Sequence, residues 1–254
     1  MSRQKSESEL IHHKKQAINT LENYLDQLIL SEDSKQMGKA DKLSYWLNDW
    51  TNYLKHESEF SPMSIRRYKR GEIIKVHLGF NVGSEEGGLH YAVVLDKKNA
   101  RTSPVVTIIP LTSIKPNTNI SNLKDGRIFL GNELFTNLSS KFSSVRKQVI
   151  DELNLITPII NELAHGNTSN TQSVDELKFK VNELKCKLQL LERMKREIQN
   201  MKTGSIALVT QITTVSKMRI YDPKKDGDIL SGIKLSNEKL DLIDSEIKKL
   251  FTNI

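Results

Sequence analysis

The chain has little of what builds disulfide-bonded or membrane-spanning proteins. It holds a single cysteine, Cys186, in 254 residues. One thiol excludes an intrachain disulfide and any multi-cysteine zinc site, so a reducing compartment is the expectation. Aromatic residues make up only 6%. The longest apolar runs, such as Val105–Leu111, have the length of a β-strand and fall well short of a membrane span. The opening MSRQKSESELIHHKK lacks the apolar core that a secretory signal needs. A cytoplasmic protein without membrane contact is the resulting expectation. No GxxxxGK[ST], HExxH or GxSxG pattern occurs, and His12, His13 and His56 lack carboxylate or cysteine companions. Neither a metal nor a cofactor is expected.

Charge is informative mainly through its distribution. The formal net charge is +7. Residues 1–67 contribute 0, 68–137 contribute +3, 138–202 contribute +3 and 203–254 contribute +1. So thin a field permits an anionic partner without requiring one.

The pattern of apolar residues changes three times. Over 8–30, Leu10, Ile11, Ala17, Ile18, Leu21, Leu25, Leu28 and Ile29 recur at helical spacing. SEDSKQMG at 31–38 is a polar break. A second helix over about 40–56 carries Leu43, Trp46, Leu47, Trp50, Tyr53 and Leu54 on one stripe, expected to be the packing face of a helical hairpin. From Tyr68 the period becomes that of short β-branched strands, at 71–80, 90–98, 103–113 and 127–135. Strand character returns over 204–220, and 236–251 reads as a closing helix.

Between these β segments lies a piece of different character. Val174, Leu177, Val181, Leu184, Leu188, Leu191, Met194, Ile198 and Met201 follow a heptad spacing with one stammer. Ser173 and Glu176 form a capping-box signature at its start. Upstream, Leu138, Phe142, Val145, Val149, Leu153, Ile156, Ile160 and Leu163 form a matching stripe, with Pro158 expected to kink it. The spacing predicts an antiparallel helical hairpin over 138–202, joined by HGNTSNTQ at 165–172. Its seams read as complete without the β region, so it is expected to stand outside any functional site. The organisation expected is therefore an N-terminal helical hairpin (1–67), a β domain (68–137 and 203–254) and an inserted hairpin (138–202).

The β segments carry an ordered series of motifs. They are Arg70-Gly71-Glu72, the loop Gly83-Ser84-Glu85-Glu86-Gly87-Gly88, the strand Tyr91-Ala92-Val93-Val94-Leu95, Asn99 with Ser103-Pro104, and Pro110 to Ser113. Gln211-Ile212-Thr213-Thr214 through Lys217 and Arg219, and the helix start Leu235–Leu240, follow later. In this order they resemble the PemK/MazF/Kid family of toxin endoribonucleases. The resemblance implies an α+β fold: a small SH3-like or CcdB-like β-barrel with a C-terminal helix, here with the N-terminal and inserted (coiled-coil) hairpins added. It also implies a homodimer, single-stranded RNA as substrate and an antitoxin protein as partner.

The same resemblance implies metal-independent cleavage in which the ribose 2′-hydroxyl attacks the adjacent phosphate. That step needs a base, stabilisation of the phosphorane and a proton for the leaving oxygen. The family's threonine corresponds to Thr112, but its arginine after the glycine loop is replaced by His90. A guanidinium supplies a fixed fork of donors and a permanent charge, whereas imidazole supplies one or two donors and a proton near neutral pH. His90 is thus either a general acid or base beside Thr112, or a structural histidine in a degenerate site that only binds. Candidate substrate contacts are Ser84 and Glu85 of the loop, Gln211, and His77 of the first strand. Lys97, Lys98, Arg101, Lys217 and Arg219 are candidates to track a phosphate backbone.

Overall fold

The computed structural model describes residues 5–164 and 171–253, with side chains for 5–161 and 175–253. The chain divides into two compact units: residues 1–59 with 79–82, and residues 60–78 with 83–254.

The first unit is built from α1 (Glu7–Leu30) and α2 (Ser34–His56). The break between them is shorter than expected. Asp33 caps α2 by accepting from the Lys35 amide at 2.9 Å, so Ser34–Gly38 is already helical. Of the α2 stripe, Leu43, Trp46, Leu47 and Tyr53 are half-buried, with the Trp46 and Tyr53 rings 6.3 Å apart. Trp50 and Leu54 remain exposed.

The second unit is α+β. Its strands are β1 (Ile73–His77), β2 (Leu89–Val94), β3 (Val105–Ser113), β4 (Arg127–Gly131), β5 (Ser205–Leu208), β6 (Thr213–Ser216) and β7 (Ile220–Asp222). All pair antiparallel, in the order β4-β5-β3-β2-β1-β7, with β6 also on β3. α3 (Glu133–Ala164), α4 (Thr171–Asn200) and α5 (Asn237–Phe251) complete it.

Alternation along the strands builds two apolar clusters. Ile73, Val93, Ile109 and Leu111 belong to one, and Ile74, Val76, Ala92, Val94, Val106 and Ile108 to the other. With both faces covered, the central strands read as continuous apolar runs rather than as alternation.

Two expected strands differ. The stretch 127–135 leaves strand geometry at Gly131 (φ 69°), and Leu134 and Leu138 instead open α3. The strand character expected over 204–220 resolves into three strands separated by 3-10 turns at Val209–Gln211 and Lys217–Arg219. At the first turn the Val209 amide donates to the Gly126 carbonyl, at 2.7 Å, and leaves the β3 ladder. β5 therefore pairs with Leu111–Ser113 and β6 with Val105–Ile108 along one edge of β3.

The inserted helices are not complete without the sheet, contrary to the expectation from their seams. Leu134, Leu138 and Met194 are buried in the same cluster as Ile73, Val93 and Ile109, and Phe142, Leu190, Ile198 and Met201 pack against it. Burial of each such side chain contributes about 1.5–3 kcal/mol. Among the described residues a smaller cluster of Val149, Leu184 and Leu191 joins the two helices, while Leu153, Ile160, Val181 and Leu188 are exposed. Lys141 of α3 donates to the carbonyls of Asp228, Ile229 and Ser231 at 2.8, 2.9 and 2.7 Å. Burial draws this ammonium's pKa down. α3 runs on through Pro158. The loop 165–170 lies outside the described residues, as do the side chains of Leu163, Ser173 and Val174.

The Arg70-Gly71-Glu72 motif is architectural. Gly71 sits at φ 81°, where an added Cβ would come within 2.8 Å of Leu240 Cδ1. Arg70 donates to the Leu95 carbonyl at 2.6 Å and pairs with Asp244, and Glu72 accepts from Arg66 at 3.1 Å.

Candidate active site

The β1–β2 connection closes where the Leu78 amide donates to the Gly88 carbonyl, at 2.7 Å. Gly83 and Gly88 have φ of 65° and 84°, turns that side chains with a Cβ rarely adopt. Gln211 holds this loop from the opposite side. Its Oε1 accepts from the Glu86 amide at 2.6 Å, and its Nε2 donates to the Ser84 carbonyl at 3.1 Å. The 3-10 turn that interrupts the strand carries Gln211, so the irregularity positions the clamp.

Beyond the loop, β2 carries His90. Its Nδ1 lies 3.1 Å from the Leu111 carbonyl. A carbonyl only accepts, so Nδ1 carries the proton and, in the neutral ring, Nε2 keeps its lone pair. Nε2 is 3.6 Å from Glu86 Oε2, and both side chains are about a quarter exposed. Register pairs Ala92 with Pro110. Two residues farther along their strands lie His90 and Thr112.

A cavity of about 210 Å3 adjoins this point. Segments 89–91 and 111–113 line it, with Leu134, Asn200, Met201, Lys202, Gly204 and Ser205. The end of the insertion thus forms part of its wall, against the expectation that the insertion stands clear of the site. Lys202 is the one lysine or arginine among the residues lining it.

The structure does not bring all the sequence-derived candidates together. Ser84 and Glu85 are exposed on the loop, and Ser84 contributes its carbonyl to the Gln211 clamp. Gln211 therefore positions the loop, with both ends of its amide engaged. His77 pairs with Leu89 while Val76 pairs with His90, so alternation puts His77 on the opposite face of the sheet.

Lys97, Lys98 and Arg101 are exposed, but on the β2–β3 connection at the far end of β2. From His90 to that end of β2, at Val94, is about 13 Å at ~3.3 Å per residue. Lys217 is fully buried there, donating to the Ala100 carbonyl at 3.1 Å, and its burial lowers its pKa. A buried ammonium serving that loop does not track a phosphate backbone. Arg219 donates to the His77 carbonyl at 2.8 Å, at the same end of the sheet as His90.

Sequence reasoning missed Glu86, Asn200 and Lys202. Glu86 stands four residues before His90, but nothing in two consecutive glutamates says which one faces the ring. Asn200 and Lys202 belong to the tail of a helix that looked self-contained. Among the described residues no three His, Cys, Asp or Glu side chains converge as a metal site would require, and no helix is long and apolar enough to cross a membrane.

An antiparallel sheet with helices, and a histidine at the start of β2, define an α+β protein consistent with the PemK/MazF fold. Residues 69–175 match the family described as PemK-like, MazF-like toxin of type II toxin-antitoxin system. The match spans fewer than half of the 254 residues and takes in β1–β4, α3 and the start of α4. The resemblance carried by motifs between Arg70 and Ser113 is borne out by it, while the motifs after 203 lie beyond the matched span. At the level of the family, the match points to toxin-type endoribonuclease activity, with an antitoxin as partner and RNA as substrate. No curated protein matches the chain.

Proposed function

We propose that this protein is a toxin-type endoribonuclease that cleaves single-stranded RNA without a metal, with His90 and Thr112 at its centre. The observation that carries this reading is the arrangement of His90. Its Nδ1 proton is committed to the Leu111 carbonyl, and its Nε2 faces Glu86 at 3.6 Å, in a loop held by Gln211. In the reaction Nε2 takes the proton of a ribose 2′-hydroxyl, and the Glu86 carboxylate stabilises the imidazolium so formed. The 2′-oxygen bonds to phosphorus and the P–O5′ bond breaks, the departing oxygen taking a proton from water. The products are a 2′,3′-cyclic phosphate and a 5′-hydroxyl. Thr112 and the backbone amides of Ser84 and Glu85 hold the phosphate oxygens. In this reading the sheet closes as the SH3-like barrel of the family, dimerises and is held in check by an antitoxin.

A second reading is a binding module of the same fold. The far-end position of Lys97 and Arg101, and the burial of Lys217, favour it, because they leave few cations near His90. Incubation of the purified chain with a mixed single-stranded RNA in EDTA, followed by analysis of the fragment ends, separates the two. Cyclic-phosphate ends are expected. Tight binding of an uncleavable RNA with no fragments would favour the module.

A further inference from the structure

We infer that the end of the inserted hairpin builds a nucleotide subsite beside His90 and Thr112, in which Lys202 holds a backbone phosphate and Asn200 reads the edge of one unpaired RNA base. The inference deepens the endoribonuclease reading and rests on it for the class of ligand. Three observations carry it.

The cavity is of the right size and lining. At about 210 Å3 it is smaller than the ~300–1,000 Å3 of pockets for drug-sized ligands, which suits one base rather than a larger molecule. Leu89, Tyr91, Leu111 and Met201 give it apolar and aromatic wall. Unpaired bases are held in this way, by stacking on such surfaces and by hydrogen bonds at their edges.

The polar groups on its rim are uncommitted. Asn200 and Lys202 are exposed, and among the described residues neither side chain makes a hydrogen bond or ion pair. An amide can donate and accept at a base edge, and an ammonium pairs with phosphate as a point charge. Lys202 also answers the chemistry of the neighbouring site, where His90 stands in the place of a permanent cation.

The segment is held in position from both sides. On one side Glu197 accepts from Lys75 at 2.6 Å and from the Tyr91 hydroxyl, fixing the last turn of α4 and the Tyr91 ring together. On the other, Gly204 at φ 79° packs so closely on Ile114 that an added Cβ would lie 2.1 Å from its Cδ1. Only Met201, Lys202 and Thr203 lie between the end of α4 and Gly204, which leaves Lys202 little room to wander.

The test uses the full chain and a short mixed-sequence single-stranded RNA with 2′-O-methyl riboses, which binds but lacks the nucleophile. Affinity is measured by fluorescence anisotropy across a salt series. Lys202→Gln is expected to weaken binding about tenfold. It should also reduce the slope of log K against log salt by about 0.7, one single-strand phosphate contact. Lys202→Arg should restore both. Lys178→Gln removes the same charge from an exposed lysine that the site does not use, and should change neither quantity. Asn200→Ala should leave the salt slope intact while altering the ranking of homopolymeric 2′-O-methyl probes. Equal effects of Lys202→Gln and Lys178→Gln, or no effect of either, would overturn the subsite. So would a wild-type protein that does not bind the probe at low salt. Cleavage of unmodified RNA is scored separately. RNA cut normally by a Lys202→Gln protein of unchanged affinity sinks the subsite and leaves the enzyme standing. An affinity lost with Lys202 in a chain that cuts nothing does the reverse.

Discussion

Glu197, in the last turn of α4, accepts a hydrogen bond from the ammonium of Lys75 at 2.6 Å, in the middle of β1. The two are 122 positions apart, and both side chains are largely buried. The pair ties the inserted hairpin to the sheet. Its carboxylate also accepts from Tyr91, whose hydroxyl pKa is pushed up by burial and by that carboxylate.

Removing this carboxylate should therefore cost stability as well as geometry. Glu197→Ala leaves the Lys75 ammonium and the Tyr91 hydroxyl without their acceptor, at a cost of about 1–3 kcal/mol. Asp175→Ala, which breaks an exposed pair with Lys178, should change stability by less than about 1 kcal/mol. Urea unfolding of the two variants checks the contrast. Deleting 139–201 should unfold the sheet, since Met194 leaves the core with the hairpin.

Loss of the imidazole addresses the proposed chemistry. His90→Ala should lower cleavage by roughly two to four orders of magnitude, the usual worth of a general acid or base. His90→Arg, which restores a fixed cation, should retain activity. Single-turnover rates on one RNA provide the measurement. A wild-type protein that yields no cyclic-phosphate ends, while His90→Arg does, would show that this position has switched the chemistry off.

Gln211→Ala removes the clamp without touching the ring. The Glu86 amide loses its acceptor and should exchange with solvent faster, by hydrogen exchange, than in the wild type. Loosening the loop moves Glu86 and the phosphate-binding amides, so kcat should fall about ten- to a hundredfold. RNA affinity should change little, because Gln211 itself spends both ends of its amide on the loop.

Asp222 gives a pH signature in stability. Burial raises its pKa above the ordinary 3.8, although the Leu230 and Ile229 amides, at 2.7 and 3.3 Å, pull the other way. The folded protein holds this proton more tightly than the unfolded chain does. Its contribution is therefore full below about pH 3.8 and declines as pH rises through the folded-state value. Asp222→Asn cannot ionise. Relative to wild type, this variant should gain stability as pH rises through that window, whatever constant offset the lost acceptor imposes. Urea midpoints for both proteins from acid to neutral pH decide the sign.

Much of the fold could be read directly from local pattern. Helical spacing located α1, α2, α3, α4 and α5, and β-branched runs located β1, β2 and β3, because propensity and periodicity act over a few neighbouring residues. The ordered motifs located the resemblance to the family, and the glycine loop that precedes His90. The meaning of those motifs was harder to read. Arg70-Gly71-Glu72 and Asn99 look like a functional signature but hold the backbone. Gly71 avoids Leu240, and Asn99 donates to Asp96 and the Val105 carbonyl.

The sequence by itself determined most of which segments are helix or strand, because those choices are fixed largely by neighbours along the chain. Only the tertiary structure decided which residues meet. It placed Glu86 rather than Glu85 beside His90, buried Lys217, turned His77 to the other face and brought Lys202 to the cavity wall. Each of these depends on register, on the 3-10 break at Val209–Gln211, or on packing between residues more than a hundred positions apart. A shift of one residue in a strand reverses the face of every side chain on it, so no local pattern could have settled them.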